Sequence, residues 1–435
     1  MVAQMAGAGF LALPKAIANA GWGGVALMVV FCVSIGFSAI RLGRCWVILE
    51  ERWEEYKKPA RQPYMEIAHR ALGIIGRRVA FISVLITLIG STIVFIILIA
   101  EMMNSLVPVL SQCEWCLIVV AIILPFIWLG SPKDFWQASV LAVLATVIAV
   151  VVIVVKMIVD RQRFLDQNPI HPIPSITTFS LGFGAILFSF GGASVFPTIQ
   201  NDMKNRSDFW KSVIISFAVI LAMYLPVGAV GYILIGEGVK SNILLSVGPS
   251  IIVTVAIGLQ IVNLLGTFII SLSPVVQSLE DIVGVPPTFG WKRVLLRSSV
   301  IFFELMVAFA IPNFGLILNL IGGSTMSCLS FILPPLMYMK LVDDKSDKSW
   351  PERNIQLWEE STLWFSSILR RGGGVLCHGL SRHGILLTFV FKMSCFVTSR
   401  HRELRLGCWR LMLEDEGAQG KGRQGKAAGR FYRLP

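Results

Sequence analysis

The chain has 435 residues, 55% hydrophobic and 15% charged, with a mean hydropathy of +0.73. No soluble domain buries that much apolar surface, so the composition excludes a soluble globular protein and specifies a polytopic membrane protein. The net charge of +12 reads as a surplus of Lys and Arg in loops on one side of a bilayer, and no nucleic-acid partner is expected.

The chain opens MVAQMAGAGFLALPKAIANAGW. Gly7-Ala8-Gly9 and Pro14 interrupt its apolar run, and about six residues precede the glycines against the roughly 20 of a full crossing. The first half-helix therefore reads as short or clipped. The start lacks the basic n-region of a cleavable signal peptide.

Continuous apolar segments follow at about 23–42, 79–107, 115–129 and 135–159. Between the first two, YMEIAHRALG reads as an amphipathic surface helix or as a solvated connector. Cys113 and Cys116 form a lone CxxC, which is weak evidence for metal or redox chemistry, and Cys32 and Cys328 read as packing residues.

A second interrupted segment runs from Ser180 to Lys204, SLGFGAILFSFGGASVFPTIQNDMK. Glycine inside a helix costs about 1 kcal/mol relative to alanine and proline about 3 kcal/mol. Gly191, Gly192 and Pro197 have no use in a helix that only crosses lipid. Broken membrane helices persist where the freed backbone faces protein or a water-filled cavity. Apolar segments then recur at about 210–235, 251–272, 295–311 and 314–339.

The count is about ten crossings, five before residue 170 and five after, each half opening on a Gly/Pro-interrupted segment. An odd number per half sets the halves in opposite orientations, the pattern of an inverted-repeat transporter. The repeats span about 1–159 and 179–339. Placing the N-terminus in the cytoplasm puts most loop Lys and Arg inside, among them Arg41, Arg44, Arg77, Arg78, Lys204 and Arg206. Only Lys156, Arg161, Arg163 and Lys240 then lie outside. The sequon Asn205-Arg206-Ser207 falls on the inner side. Residues 341–435 are basic, Gly-rich and aperiodic, and read as a mostly disordered cytoplasmic tail.

Three stretches resemble one family. GAGFLALPKAIANAGW at 7–22 is similar to the first-helix signature of the amino acid/auxin permeases. FSFGGASVFPTIQNDMKN at 188–205 resembles their sixth helix, and GYILIGEGVKSNIL at 231–244 their seventh-helix exit. The resemblance covers about residues 1–340 and is of the kind seen in proton-coupled and vesicular amino acid transporters. It implies an all-α polytopic membrane protein with a LeuT-like 5+5 inverted-repeat bundle and broken helices 1 and 6. It further implies transport of small neutral amino acids driven by a proton or sodium gradient, with no cofactor. On this resemblance the family's eleventh helix is expected to be missing, with the unfamiliar tail in its place.

Gly7, Ala8 and Gly9 are candidates for substrate contact through backbone N–H groups; close packing of small residues is the alternative. Ser189, Phe190, Gly191 and Gly192 are the matching unwound positions, with Phe190 a candidate gate over the bound side chain. Pro14 and Pro197 read as architectural, and Gln200 and Asp202 as the cytoplasmic end of the central helix, Asp202 as a solvated cap.

Gln260, Asn263 and Thr267 share one helix face. Asn263 and Thr267 could bind the coupling ion, which on this reading is H+ or Na+; Gln260 reads as an interhelical hydrogen bond. Glu304, and less so Glu101, are intramembrane acids of the kind that relay protons. No segment combines a nucleophile, a base and metal ligands, so no enzymatic activity is expected. The alternative to transport is an amino-acid-binding nutrient sensor. The lipid bilayer is the expected surrounding, in the plasma membrane or a lysosomal or vesicular membrane.

Overall fold

The computed structural model describes residues 1–343 apart from 59, 61, 129–135, 249 and 287–289. The expectations of a disordered tail and a missing eleventh helix fall on residues outside this set. The described residues build an all-helical bundle.

The first broken segment comprises α1 (Val2–Met5) and α2 (Gly9–Ala20). α3 (Gly23–Arg52), α4 (Pro63–Leu106), α5 (Gln112–Trp128) and α6 (Trp136–Val159) complete the first half. A short α7 (Arg161–Leu165) leads to the second broken segment, α8 (Ile176–Ser189) and α9 (Phe196–Asn201). α10 (Phe209–Ile235), α11 (Ile251–Val283) and α12 (Trp291–Ala310) follow. The last span runs from α13 (Phe314–Ile321) through π-helical turns to α14 (Leu333–Asp343). Six of the described helical stretches are long and apolar enough to cross a membrane by themselves. α12, at 20 residues, has the length for a crossing but carries Lys292, Arg293, Arg297 and Glu304.

The bundle exposes apolar side chains outward, and its largely apolar interior holds a minority of polar side chains. Val29, Val33 and Phe37 stand exposed one helical turn apart on α3, as do Ile82 and Ile86 on α4 and Phe302 and Met306 on α12. Thr92, Thr146, Gln260 and Ser330 are buried. In lipid, association rests on close packing and interhelical hydrogen bonds rather than on apolar burial, so small residues line the crossings. α2 and α8 meet in this way. A Cβ on Gly182 would lie 2.5 Å from the Ala16 carbonyl oxygen, and one on Gly9 would lie 2.6 Å from Ser189 Cα. Residues 9 and 189 at one end and 16–20 and 182 at the other make the two helices antiparallel. The opening helices of the two halves therefore point in opposite directions, as five crossings per half require.

Residues 63–72 are helical with one face buried and the other toward the outside, as the amphipathic-helix reading expects, and are not a solvated connector. They form the first turns of α4, with Tyr64, Met65, Ile67 and Ala68 buried and the Tyr64 hydroxyl donating to the Leu329 carbonyl at 2.9 Å. Gly73, at φ 71°, supplies the left-handed kink that turns this piece into the span. Pro197 lies in the first turn of α9, so it opens that helix instead of ending one; its missing N–H has no intrahelical acceptor there. Pro14 lies inside α2 and is buried against Gly231 of α10.

Candidate functional site

Both breaks open onto one cavity. Helical geometry stops at Met5 and resumes at Gly9 in the first segment, and stops at Ser189 and resumes at Phe196 in the second. Between them lies a small cavity of about 40 Å³, walled by Gly7, Ala8 and Gly9 from one break and Gly191, Gly192, Ser194 and Val195 from the other. α4 adds Thr87, Leu88, Ser91 and Phe95, α11 adds Ser271, and Met326 enters from the last span. One water needs about 10–15 Å³ by such a measure, so the space holds a few waters and is shut to an amino acid in this conformation. None of its described lining residues is ionisable.

The carbonyls freed by the first break are each taken by a different helix. Tyr224 of α10 donates its hydroxyl to Met5 O at 2.9 Å, Thr146 of α6 reaches Ala6 O at 3.1 Å, and Gln260 Nε2 of α11 reaches Gly7 O at 3.4 Å. Asn263 Nδ2 donates to Thr146 Oγ1 at 3.0 Å, and the Thr267 hydroxyl to the Asn263 carbonyl at 2.9 Å. Gln260 and Asn263 thus face the break, Thr267 bonds back to Asn263 on the same helix, and Gln260 Oε1 is buried with no partner among the described residues. A buried backbone carbonyl without a donor would cost about 1–3 kcal/mol, and these side chains remove that cost. The first N–H groups of α2 lack intrahelical acceptors and sit at the positive end of a helix dipole, at the edge of the cavity.

Ser189 and Phe190 stand behind the cavity rather than in its wall. The Ser189 hydroxyl donates to Gly9 O at 3.0 Å, locking α8 to the start of α2. Phe190 is fully buried with its ring edge-on to Tyr224 at 5.5 Å, so it backs the residue that caps Met5. Gln200 is buried and donates to Gly43 O at 2.9 Å and Arg206 O at 3.0 Å, whereas Asp202 is exposed at the end of α9.

Glu304 lies in α12, away from the cavity and fully buried. Oε1 accepts from the Thr92 hydroxyl at 2.7 Å, and Oε2 has no partner among the described residues. Glu101 is partly buried toward the end of α4, on the side of Lys240. Cys113 is exposed and Cys116 buried, both as free thiols, and no group of metal-ligating side chains occurs among the described residues.

Sequence reasoning missed Tyr224, Thr146 and Met326. Tyr224 and Thr146 lie in unremarkable apolar stretches and Met326 in the small-residue run GGSTMSC, and only the helix packing brings them to the breaks.

Residues 1–359 match the sequence profile of the family described as transmembrane amino acid transporter protein. The chain belongs to that family. It is therefore a multi-pass integral membrane protein of a transporter family, not of an enzyme family. Amino acid transporter AVT1B of Arabidopsis thaliana is 26% identical over 355 residues, 78% of this chain and 63% of its own length. Amino acid transporter AVT1H of the same plant is 25% identical over 397 residues, 86% and 90% of the two chains. The chain thus spans a little under two thirds of AVT1B. The solved structure of Mhp1, a nucleobase-cation-symport-1 family transporter in a closed conformation with bromovinylhydantoin bound, is 16% identical. It covers 77% of this chain and 76% of its own, with a TM-score of 0.49.

Proposed function

We propose that this chain moves small neutral amino acids across a membrane by alternating access, coupled to a proton or sodium gradient. The observation that carries this reading is the meeting of both helix breaks at one cavity with no ionisable side chain among its described lining residues. A zwitterion suits such a place: N–H groups at the start of α2 hold its carboxylate, and carbonyls and hydroxyls hold its amino group. The absence of charge in the wall favours an uncharged side chain. Gly7, Ala8, Gly9, Gly191 and Gly192 contact substrate on this reading, while Ser189 and Phe190 hold the two breaks together from behind.

Two placements serve the coupling ion. Glu304, with a free buried oxygen, suits a proton. Asn263, which bonds the Thr146 hydroxyl that reaches Ala6 O, and Thr267, one turn further along α11, suit sodium, since hard cations prefer oxygen ligands. The N-terminus is assigned to the cytoplasm from the distribution of Lys and Arg, in the plasma membrane or a lysosomal or vesicular membrane.

The test is uptake of labelled alanine and related amino acids by full-length protein in proteoliposomes, under a proton gradient and then a sodium gradient. A Cβ at Gly191 would lie closest to the flexible end of Met326, at 2.5 Å from Cε, and then to the Phe188 carbonyl at 3.0 Å. Gly191→Leu therefore fills the cavity, and gradient-driven uptake should be lost in it. Binding of amino acids without gradient-driven uptake by the unmodified chain would instead favour a sensor.

A further inference from the structure

The last span does not run as a regular α-helix. Gly322–Met326 and Cys328–Ile332 wind as π-helical turns, an uncommon geometry that recurs at functional sites because it re-aims side chains. The widened stretch is held to α4 at three points. Thr87 donates to Thr325 Oγ1 at 2.6 Å, Ser83 to Cys328 Sγ at 3.8 Å, and Tyr64 to Leu329 O at 2.9 Å. The Ser327 hydroxyl bonds back within the widened stretch, its single proton reaching the Gly322 or the Gly323 carbonyl, both at 3.2 Å.

Between two of these pins stands Met326, 5% exposed and in the cavity wall. The end of its side chain lies in the second break: a Cβ on Gly191 would sit 2.5 Å from its Cε and 2.7 Å from its Sδ. The thioether thus occupies space beside the backbone groups that would hold a zwitterion, where a substrate side chain has to extend.

We propose that Met326 sets the upper size limit of the substrate side chain, making the site selective for small uncharged amino acids. This rests on the transporter reading above. Methionine suits the task, since an unbranched, flexible side chain fills an irregular gap yet swings aside at low cost. The rest of the wall decides what a larger site admits. Leu88, Phe95, Phe188 and Val195 are apolar and none of the described lining residues is charged, so space freed at Met326 serves leucine and not lysine.

The experiment compares kcat/KM for alanine, leucine and lysine uptake by the full chain in proteoliposomes, for the unmodified protein, Met326→Ala and Met337→Ala. Met337 is buried in the same span but lies outside the cavity wall. Met326→Ala should raise the leucine-to-alanine ratio about ten-fold or more, the scale on which an apolar pocket resolves missing methylenes. Lysine should stay excluded and Met337→Ala should leave the ratio alone. If Met326→Ala fails to reconstitute, Met326→Val reads the same ratio with a smaller shift.

An unchanged ratio in a Met326 variant that still takes up alanine overturns the proposal and leaves the transporter reading standing. So does an equal shift in Met337→Ala, which would mark general loosening. No uptake of any amino acid by the unmodified protein overturns both.

Discussion

Ser189 donates its hydroxyl to the carbonyl of Gly9 at 3.0 Å, where α8 ends and α2 begins, and at Gly9 a single added methyl would meet Ser189 Cα at 2.6 Å. The two breaks are thus joined back to back through one hydrogen bond and one missing side chain.

The close approach makes Gly9→Ala costly. Backbone stands on the far side of the contact and cannot swing away, so overpacking of about 1–3 kcal/mol is expected. Thermal unfolding in detergent should show a clear fall for Gly9→Ala. Ser189→Ala, which removes one buried donor and no volume conflict, should fall by about 1 kcal/mol.

Tyr224→Phe isolates the capping of the first break. Its ring packing against Phe190 survives, but Met5 O loses its donor. A loss of about 1–3 kcal/mol is expected from a buried carbonyl left unpaired. The same unfolding measurement reads it, and Phe190→Leu should behave differently by loosening the ring stack while the hydroxyl bond stays.

Glu304→Gln separates folding from coupling. The amide matches the carboxyl in size and still offers an oxygen to Thr92, so the variant should fold with a midpoint close to that of the unmodified chain. If Glu304 carries the coupling proton, gradient-driven accumulation disappears while exchange of internal for external substrate continues. Accumulation that survives in Glu304→Gln assigns the coupling ion elsewhere, with Asn263→Ala and Thr267→Ala the next variants to assay under a sodium gradient.

The pair Glu280–Arg297 closes the other end of α11 onto α12. Arg297 Nε donates to Glu280 Oε1 at 2.7 Å with both residues buried, and Arg293 Nε reaches the same oxygen at 3.0 Å. Breaking a buried pair leaves an uncompensated charge, typically a loss of 3–5 kcal/mol. Glu280→Ala should therefore destabilise severely. The double variant Glu280→Leu with Arg297→Met should recover much of that loss, because it leaves no charge unmatched between this pair.

The breaks themselves were legible before any folding was known. Gly7, Gly9, Gly191 and Gly192 announce them because glycine in a helix is a local cost, borne by the residue's own backbone whatever surrounds it. The alternation of apolar segments and basic loops likewise sets the number of crossings, since a bilayer has fixed thickness and tests each segment alone. The side chains that serve the breaks were not legible. Tyr224, Thr146 and Gln260 belong to three different helices, and their convergence on three successive carbonyls depends on how each helix is rotated in the bundle. For the same reason Phe190 turns away from the cavity while Met326, distant in the chain, turns into it. Local backbone preference writes where a helix must stop; long-range packing alone decides which atoms meet the groups it leaves bare.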